Sequence, residues 1–459
     1  MKSSTDSFVP RLPWWHGLSR YHWFVLLVAA LGWLFDCLDQ QLFLMARIPA
    51  MRDLLPAGTD VNEYAGYVTA IFILGWATGG LIFGVLGDRI GRAKTMMITI
   101  LIYSLCTGLS SLSKGFWDFS FYRFLTGLGV GGEFAVGVAL VAEVMPARAR
   151  PYALGLLQAL SAVGNVAAAL IEMGLSTWQR TGGMPESWVK WRIMFLIGAI
   201  PAMLALLIRW RLKEPERWMR MKASGGLGKD TGSYRALFRD ARWRHNAIVG
   251  LVLACAGVIA LWGIVFFSFD LVASVMEKRL AGEGLTGIDL KGAAGQWKGK
   301  AALMLNIGAF LGMLAFTKFT QRTSRRRAFA VAFIGAMIST AAVFWFLRDP
   351  WHVYVLVPVM GFFMFGIFGG YAIYFPELFP THLRSTGTSF CYNVGRFFAA
   401  SGPWTLGLLS SRVFNGTEEP LRYAGLSMCV VFLLGLAVLP FAPETKDQPL
   451  PESELEFSH

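Results

Sequence analysis

Apolar residues along this 459-residue chain arrive in long blocks, not in the alternating stripes of a soluble fold. Tyr21 to Ala46 carries only two charges, Asp36 and Asp39, and Ala247 to Met276 carries only Asp270. Runs of about 20 apolar residues match a bilayer core of roughly 30 Å, and a helix satisfies every backbone polar group inside such a run. The blocks predict twelve spans, at residues 22–46, 64–86, 95–113, 116–142, 152–175, 192–208, 246–273, 301–318, 328–346, 351–374, 386–410 and 422–441. An even count places both termini on one side. The expected fold class is an all-α membrane protein with twelve transmembrane helices in two pseudo-symmetric six-helix bundles, residues 1–208 and 246–459. The polar stretch 209–245 joins them, and its Ser224-Gly225-Gly226-Leu227-Gly228 run reads as a flexible linker.

The halves repeat each other. Glu143-x-x-Pro146-x-x-x-Arg150 recurs as Glu377-x-x-Pro380-x-x-x-Arg384, a shift of 234, and Arg89-x-Gly91-Arg92 recurs as Arg322-x-Ser324-Arg325, a shift of 233. The same shift carries Gly127 to Gly361, Gly132 to Gly366 and Asp36 to Asp270. Chance supplies one such pair but not several in register. Parallel repeats of six spans are a transporter architecture with the substrate between the halves.

Composition narrows the class further. Only 15% of the residues are charged against 55% hydrophobic, where a soluble domain carries about 25% charged. The net charge of +13 could suggest nucleic acid, but its distribution excludes that partner. On the proposed topology 26 of the 42 Lys and Arg fall on one face, 14 on the other, and Arg123 and Arg396 lie within spans. The richer face should be cytoplasmic, as in a plasma membrane of bacterial inner-membrane type. All five cysteines sit in apolar blocks without metal-ligand spacing. No cofactor, metal or catalytic signature is expected, and a monomer in the bilayer is.

Between spans 2 and 3 runs Gly84-Val-Leu-Gly87-Asp88-Arg89-Ile-Gly91-Arg92-Ala-Lys94. Its glycines allow close helix approach and a tight turn. Asp88 can engage a helix N-terminus, while Arg89 and Arg92 suit acidic partners or lipid phosphates. This segment resembles the loop signature of the major facilitator superfamily, and the resemblance covers nearly the whole chain. The Glu-x-x-Pro-x-x-x-Arg repeat, with Glu214-Pro215-Glu216-Arg217-Trp218, is similar to sugar porters of that superfamily. Arg123 to Glu133 and Glu377 to Gly387 are more similar to bacterial proton symporters of sialate and aromatic acids. Gln321 stands where the repeat would place a second Asp88. The resemblance implies alternating access, with Asp88, Arg89, Arg92, Glu143, Arg150, Arg322, Glu377 and Arg384 forming a cytoplasmic gate.

Ionisable residues inside spans are costly and mark function or structural pairing. Asp36 and Asp39 share a helix face, and carboxyls so close in low dielectric favour holding a proton. At about 1.5 Å per residue, Asp36 lies roughly 15 Å and Arg123 roughly 10 Å from the outer surface, so the two can pair. Asp36, Asp39 and Glu133 are therefore candidates for proton coupling. Arg123 or Arg396 can hold an anionic substrate through a guanidinium fork, with Gln40, Gln158, Asn165 and Asn393 lining the cavity. Structural helix contacts are the competing reading for each. Asp270 and Glu172, near span ends, read as solvated. The expected function is secondary active transport, a proton-coupled symport of a small organic acid or sugar-like metabolite. An uncoupled facilitator and a non-transporting nutrient sensor are the alternatives.

Overall fold

The computed structural model describes residues 13–59, 61–180, 183–185, 188–201, 211–224, 228–399, 405–406 and 408–451. No strand occurs among them. The first half comprises α1 (Arg20–Leu54), α2 (Val61–Ile90), α3 (Arg92–Ser110), α4 (Phe116–Val144), α5 (Arg150–Arg180) and α6 (Lys190–Ile197). Two short helices follow, α7 (Glu216–Ala223) and α8 (Tyr234–Arg239). The second half comprises α9 (Ala241–Gly263), running through a short 3-10 turn into α10 (Ser268–Gly282), then α11 (Gly287–Arg322), α12 (Arg325–Phe346), α13 (Pro350–Glu377), α14 (Arg384–Ala399), α15 (Pro420–Met428) and α16 (Val431–Val438).

Ten stretches among the described residues are long and apolar enough to cross a membrane. The expected sixth and eleventh spans begin at α6 and α14, and their residues 202–208, 400–404 and 407 lie outside the described residues. The chain is thus an all-α, twelve-helix membrane protein in two pseudo-symmetric bundles. Its surface agrees with that solvent: Ile338 is 61% exposed, Leu112 66% and Trp117 80%, apolar area that lipid covers and water would penalise. At the helix ends opposite the arginine-rich face Asp270 pairs with Lys298 at 2.5 Å and Glu172 with Lys190 at 2.8 Å, as solvated residues do.

The duplication extends to single atomic contacts. A Cβ at Gly75 of α2 would strike the carbonyl oxygen of Phe124 on α4, and one at Gly308 of α11 that of Pro358 on α13. Gly79 against Leu128 matches Gly312 against Phe362, and Gly127 against Phe72 matches Gly361 against Leu305. Every pair is related by the shift of 233 or 234. Hydrocarbon gives helices no hydrophobic reason to associate, so backbone-to-backbone packing at small residues supplies it.

Contact between the halves follows the same logic with the roles exchanged. Gly84 of α2 receives Ser389 of α14, and Gly155 of α5 receives Thr317 of α11. Position 155 is the repeat of 389, and 84 is the repeat of 317. Each interface sets a glycine against a hydroxyl residue, but the glycine comes from a different member of the pair.

The segment 209–245 departs from expectation. Its Gly225–Leu227 stretch lies outside the described residues, but what surrounds it is packed. Trp218 Nε1 donates to the Asp88 carbonyl at 2.8 Å and Tyr234 Oη to that of Leu81 at 2.8 Å. Glu214 accepts from the backbone nitrogens of Ala93 (3.2 Å) and Lys94 (3.1 Å), capping α3. The described part lies against α2 and α3, with Trp218 and Glu214 meeting unpaired backbone groups at their ends and Tyr234 sharing a carbonyl inside α2.

Candidate functional site

Two clusters use the residues singled out from sequence, one at the basic ends of the helices and one deeper. At the basic end the N-terminus of α14 points its free amides at Asp88. Ser385 and Thr386 donate their backbone N–H to Asp88 at 3.1 and 2.8 Å, and Thr386 Oγ1 donates at 2.7 Å. An aspartate of one half thus caps a helix of the other, where the helix dipole favours negative charge. The missing second acid now has a physical reason. Gln321 would face the start of α5, where the repeat of Ser385 is Pro151, a residue with no amide hydrogen to give.

Arg92 lies 3.0 Å from Asp88 and 3.0 Å from Glu143 Oε1, and donates to the Thr381 carbonyl at 2.5 Å. Arg384 reaches the same Glu143 oxygen at 2.7 Å. Glu143 therefore joins arginines from both halves, and all three side chains are buried. In the second half Arg325 holds Glu377 with two bonds, 3.0 and 2.9 Å, and Thr445 donates to Glu377 at 2.6 Å. Arg150 donates to the Ala142 carbonyl at 2.7 Å, the repeat of Arg384 donating to that of Pro376 at 3.2 Å. Among the described residues it makes no ion pair with Glu377, so the lock is one-sided.

Two expected members sit elsewhere. Arg322 is exposed and its place beside Glu377 is taken by Arg325; Arg89 is exposed and donates to the Thr231 carbonyl at 3.1 Å. For Arg89 the reason is the turn at Gly91, whose φ of +111° starts a new helix at Arg92 and turns that residue inward; in the second half Ser324, at φ −149°, starts the helix at Arg325. A side chain at Gly91 would also collide with the Glu214 carboxylate. Glu444 mirrors Glu214 by capping α12 at Arg325 (2.9 Å) and Arg326 (3.3 Å). Burial alone would raise the Glu444 carboxyl, but backbone N–H groups of Arg325, Lys446 and Arg326 outweigh it and hold the group below its ordinary range.

Asp88→Ala should strip α14 of its cap and free Arg92. The expected loss is about 2 kcal/mol or more for charge-assisted bonds of this kind. It is read as a lower melting temperature together with faster thiol labelling of a cysteine placed at buried Thr381. His382 offers a second test. Burial pushes its imidazole from 6.5 down to about 4, with Arg384 and Arg92 adding to the effect and Asp230 opposing it. The closed end thus holds His382 neutral. Its stabilising contribution is complete above about pH 6.5 and is lost as pH falls from there toward 4. The melting temperature should drop between pH 7.5 and 5, and His382→Gln should flatten that slope.

Deeper in the bilayer, α1 and α4 run antiparallel, which decides their pairs. Arg123, early on α4, meets Asp39, about one turn further along α1 than Asp36, at 3.5 Å. The expected Arg123–Asp36 pair does not form. Arg123 also donates to Ser110 (3.1 Å), Thr107 (2.9 Å) and Thr126 (2.8 Å), lies over the Phe43 and Phe195 rings, and is enclosed by its own half. Thr107 donates to Asp39 at 2.7 Å.

Asp36 instead faces Glu133, which leans over Gly32. All four carboxylate oxygens are buried, and no other group among the described residues donates a hydrogen bond to them. Close by, Arg396 of α14 lies 4.2 Å from the Trp76 ring centre and 4.4 Å from that of Tyr392, donating to Asn393 Oδ1 at 2.5 Å. No carboxylate among the described residues lies within ion-pair distance of it. Phe134 stacks near Tyr392 at 4.5 Å and Trp33 near Phe134 at 4.4 Å. Gln158 is buried with its Oε1 unpaired, Gln40 is half-buried, and Asn165 donates to Asn306 across the halves at 2.9 Å. The aromatic wall of Trp33, Trp76 and Phe134 went unnoticed in the sequence, where aromatics are too common in spans to stand out. Among the described residues no cluster has the makings of a metal site.

Residues 29–403 match the family model described as Major Facilitator Superfamily. A cis,cis-muconate transport protein of Acinetobacter baylyi is 30% identical over 351 residues, covering 76% of this chain and 78% of that one. A sialic acid transporter of Escherichia coli is 25% identical, covering 90% and 93%. A solved proton:xylose symporter superposes with a TM-score of 0.73 at 17% identity, covering 95% of this chain and 98% of its own. That last likeness concerns the fold.

Proposed function

Since the chain belongs to the Major Facilitator Superfamily and is a metabolite transporter, not an enzyme, we propose that it carries a small carboxylate-bearing metabolite together with a proton. The observation that carries this reading is Arg396: a buried guanidinium, stacked on two rings, with no carboxylate partner. An uncompensated buried charge is expensive unless an anion completes it during the working cycle. A substrate carboxylate would take that place, held by the guanidinium fork, with its apolar body against Trp33, Phe134 and Tyr392. The muconate and sialic acid named for the two relatives both carry carboxylates, which supports the choice of an acid over a neutral sugar.

Asp36 and Glu133 are the proposed proton site. Two carboxylates facing each other without a cation repel, and one shared proton removes the repulsion. Asp39 and Arg123 brace the same helix pair. Residues 1–208 and 246–459 would rock as two bodies joined by 209–245. The arginine-rich face would be cytoplasmic by charge bias, so that the closed end described above is the inner gate. Opening it breaks the Glu143–Arg384 bond and the Asp88 cap, and Gln40, Gln158, Asn165 and Asn393 become available to the cavity.

A thermal-shift panel of carboxylates and neutral sugars on detergent-purified protein tests the substrate class. Carboxylates should raise the melting temperature, by more the tighter they bind. Stabilisation by neutral sugars alone would overturn the assignment.

A further inference from the structure

The two halves part company where α12 meets α13. In the first half Gly129 of α4 lets α3 close onto it: a Cβ there would stand 2.7 Å from both the Thr99 carbonyl oxygen and the Tyr103 nitrogen. The position 234 residues on is Phe363, and its ring presses against Gly335 of α12. A side chain at Gly335 would collide with that ring. The first half thus has a glycine packed on backbone at this place, and the second half has a phenylalanine ring.

Beside this contact runs a groove of about 350 Å³ between α11, α12 and α13. Phe316, Val331, Phe362 and Phe363 wall it, and Lys318 and Arg322 stand at its basic end. From Gly312 to Arg322 it follows α11 for about 15 Å at the helical rise. Phe319 and Val331, both in its lining, are 38% and 47% exposed, so the groove opens sideways toward hydrocarbon and not toward the centre of the protein. Lys318 and Arg322 are four residues apart on one helix face, both exposed, and neither makes a hydrogen bond or ion pair among the described residues. The first half holds Val85 and Arg89 at these places, and Arg89 already donates to Thr231.

We propose that this groove is a binding site for one anionic phospholipid of the leaflet on the basic side. One acyl chain lies in the aromatic slot and the headgroup phosphate sits between Lys318 and Arg322. Charge complementarity selects the occupant. An apolar channel that faces lipid and ends in two unpartnered cations fits a phosphodiester joined to a hydrocarbon tail, and basic pockets between spans hold acidic headgroups in this way.

Native mass spectrometry of the detergent-purified protein, titrated with phosphatidylglycerol or phosphatidylcholine of equal chain length, tests the site. The first phosphatidylglycerol should bind about 30-fold more tightly than the first phosphatidylcholine, the scale of two cations acting on one phosphate. Lys318→Gln with Arg322→Gln should erase that preference, and Ala332→Phe, which fills the slot, should weaken the first binding step. Arg235→Gln with Arg239→Gln, exposed on the same side but outside the groove, should change neither. Excess glycerol phosphate should not displace the lipid. Equal binding of the two lipids, a preference that survives at Lys318 and Arg322, its loss in the Arg235 and Arg239 control, or displacement by glycerol phosphate would each overturn the proposal.

Discussion

Arg396→Gln is expected to lower substrate counterflow more than 100-fold while leaving the melting temperature unchanged or raised. Both halves of that result come from one feature. The guanidinium is buried between Trp76 and Tyr392, and its acceptors among the described residues are the Tyr392 carbonyl and Asn393 Oδ1. In the resting protein it therefore costs desolvation with no ion pair in return, and a neutral polar side chain removes that cost. With a carboxylate bound, charge-assisted bonds are worth about 1.5–3 kcal/mol each, and losing a bidentate pair exceeds two powers of ten in affinity at about 1.4 kcal/mol per tenfold. Arg396→Lys should fall between, since it keeps the charge but gives up the planar fork and the ring stack. Counterflow in liposomes and thermal unfolding on the same preparation separate the two effects. Wild-type counterflow in Arg396→Gln would place the substrate elsewhere.

What the sequence revealed and what it hid follow from the reach of each signal. Apolar blocks and a constant shift are one-dimensional, so the spans and the pairing of halves could be read in advance, while the carbonyls that the glycines of α2 and α4 meet could not. Helix rotation is not one-dimensional. Arg89 and Arg92 look interchangeable until Gly91 turns the chain between them; only then is Arg92 buried and Arg89 left outside. The recurrence of Glu143 at 377 alongside Arg92 at 325 was the available clue that Arg325, and not Arg322, completes the second copy. Depth misled in the same way at Arg123. Asp36 and Asp39 differ by about 4.5 Å along the axis, less than the uncertainty of a span boundary, yet that step decides which one meets the arginine. The segment 209–245 was opaque because its contacts are with backbone carbonyls and helix ends, which carry no residue code.

Asp36→Asn and Glu133→Gln should each preserve counterflow and abolish accumulation driven by a pH gradient. A gradient of one unit stores about 1.4 kcal/mol per proton, which at one proton per substrate sustains about tenfold accumulation; in either variant the ratio should fall to about one. The prediction depends on the pair being a single site. Both carboxyls are buried, face each other and have no cation within ion-pair distance among the described residues. Neutralising one removes the repulsion that made the proton necessary, and the remaining group has no partner with which to alternate. Stability should hold or rise, because an unpaired buried carboxylate is a cost. Asp39→Asn makes the contrast. It takes the counter-charge from Arg123, whose enclosure by Phe43 and Phe195 leaves it no route to water. Breaking a buried pair from one side costs about 3–5 kcal/mol, so that variant should melt lower and lose transport of every kind. Should Asp36→Asn and Glu133→Gln both accumulate substrate as the wild type does, protons are not moved by this pair. Counterflow lost together with accumulation would instead make the carboxyls part of the substrate's own binding surface.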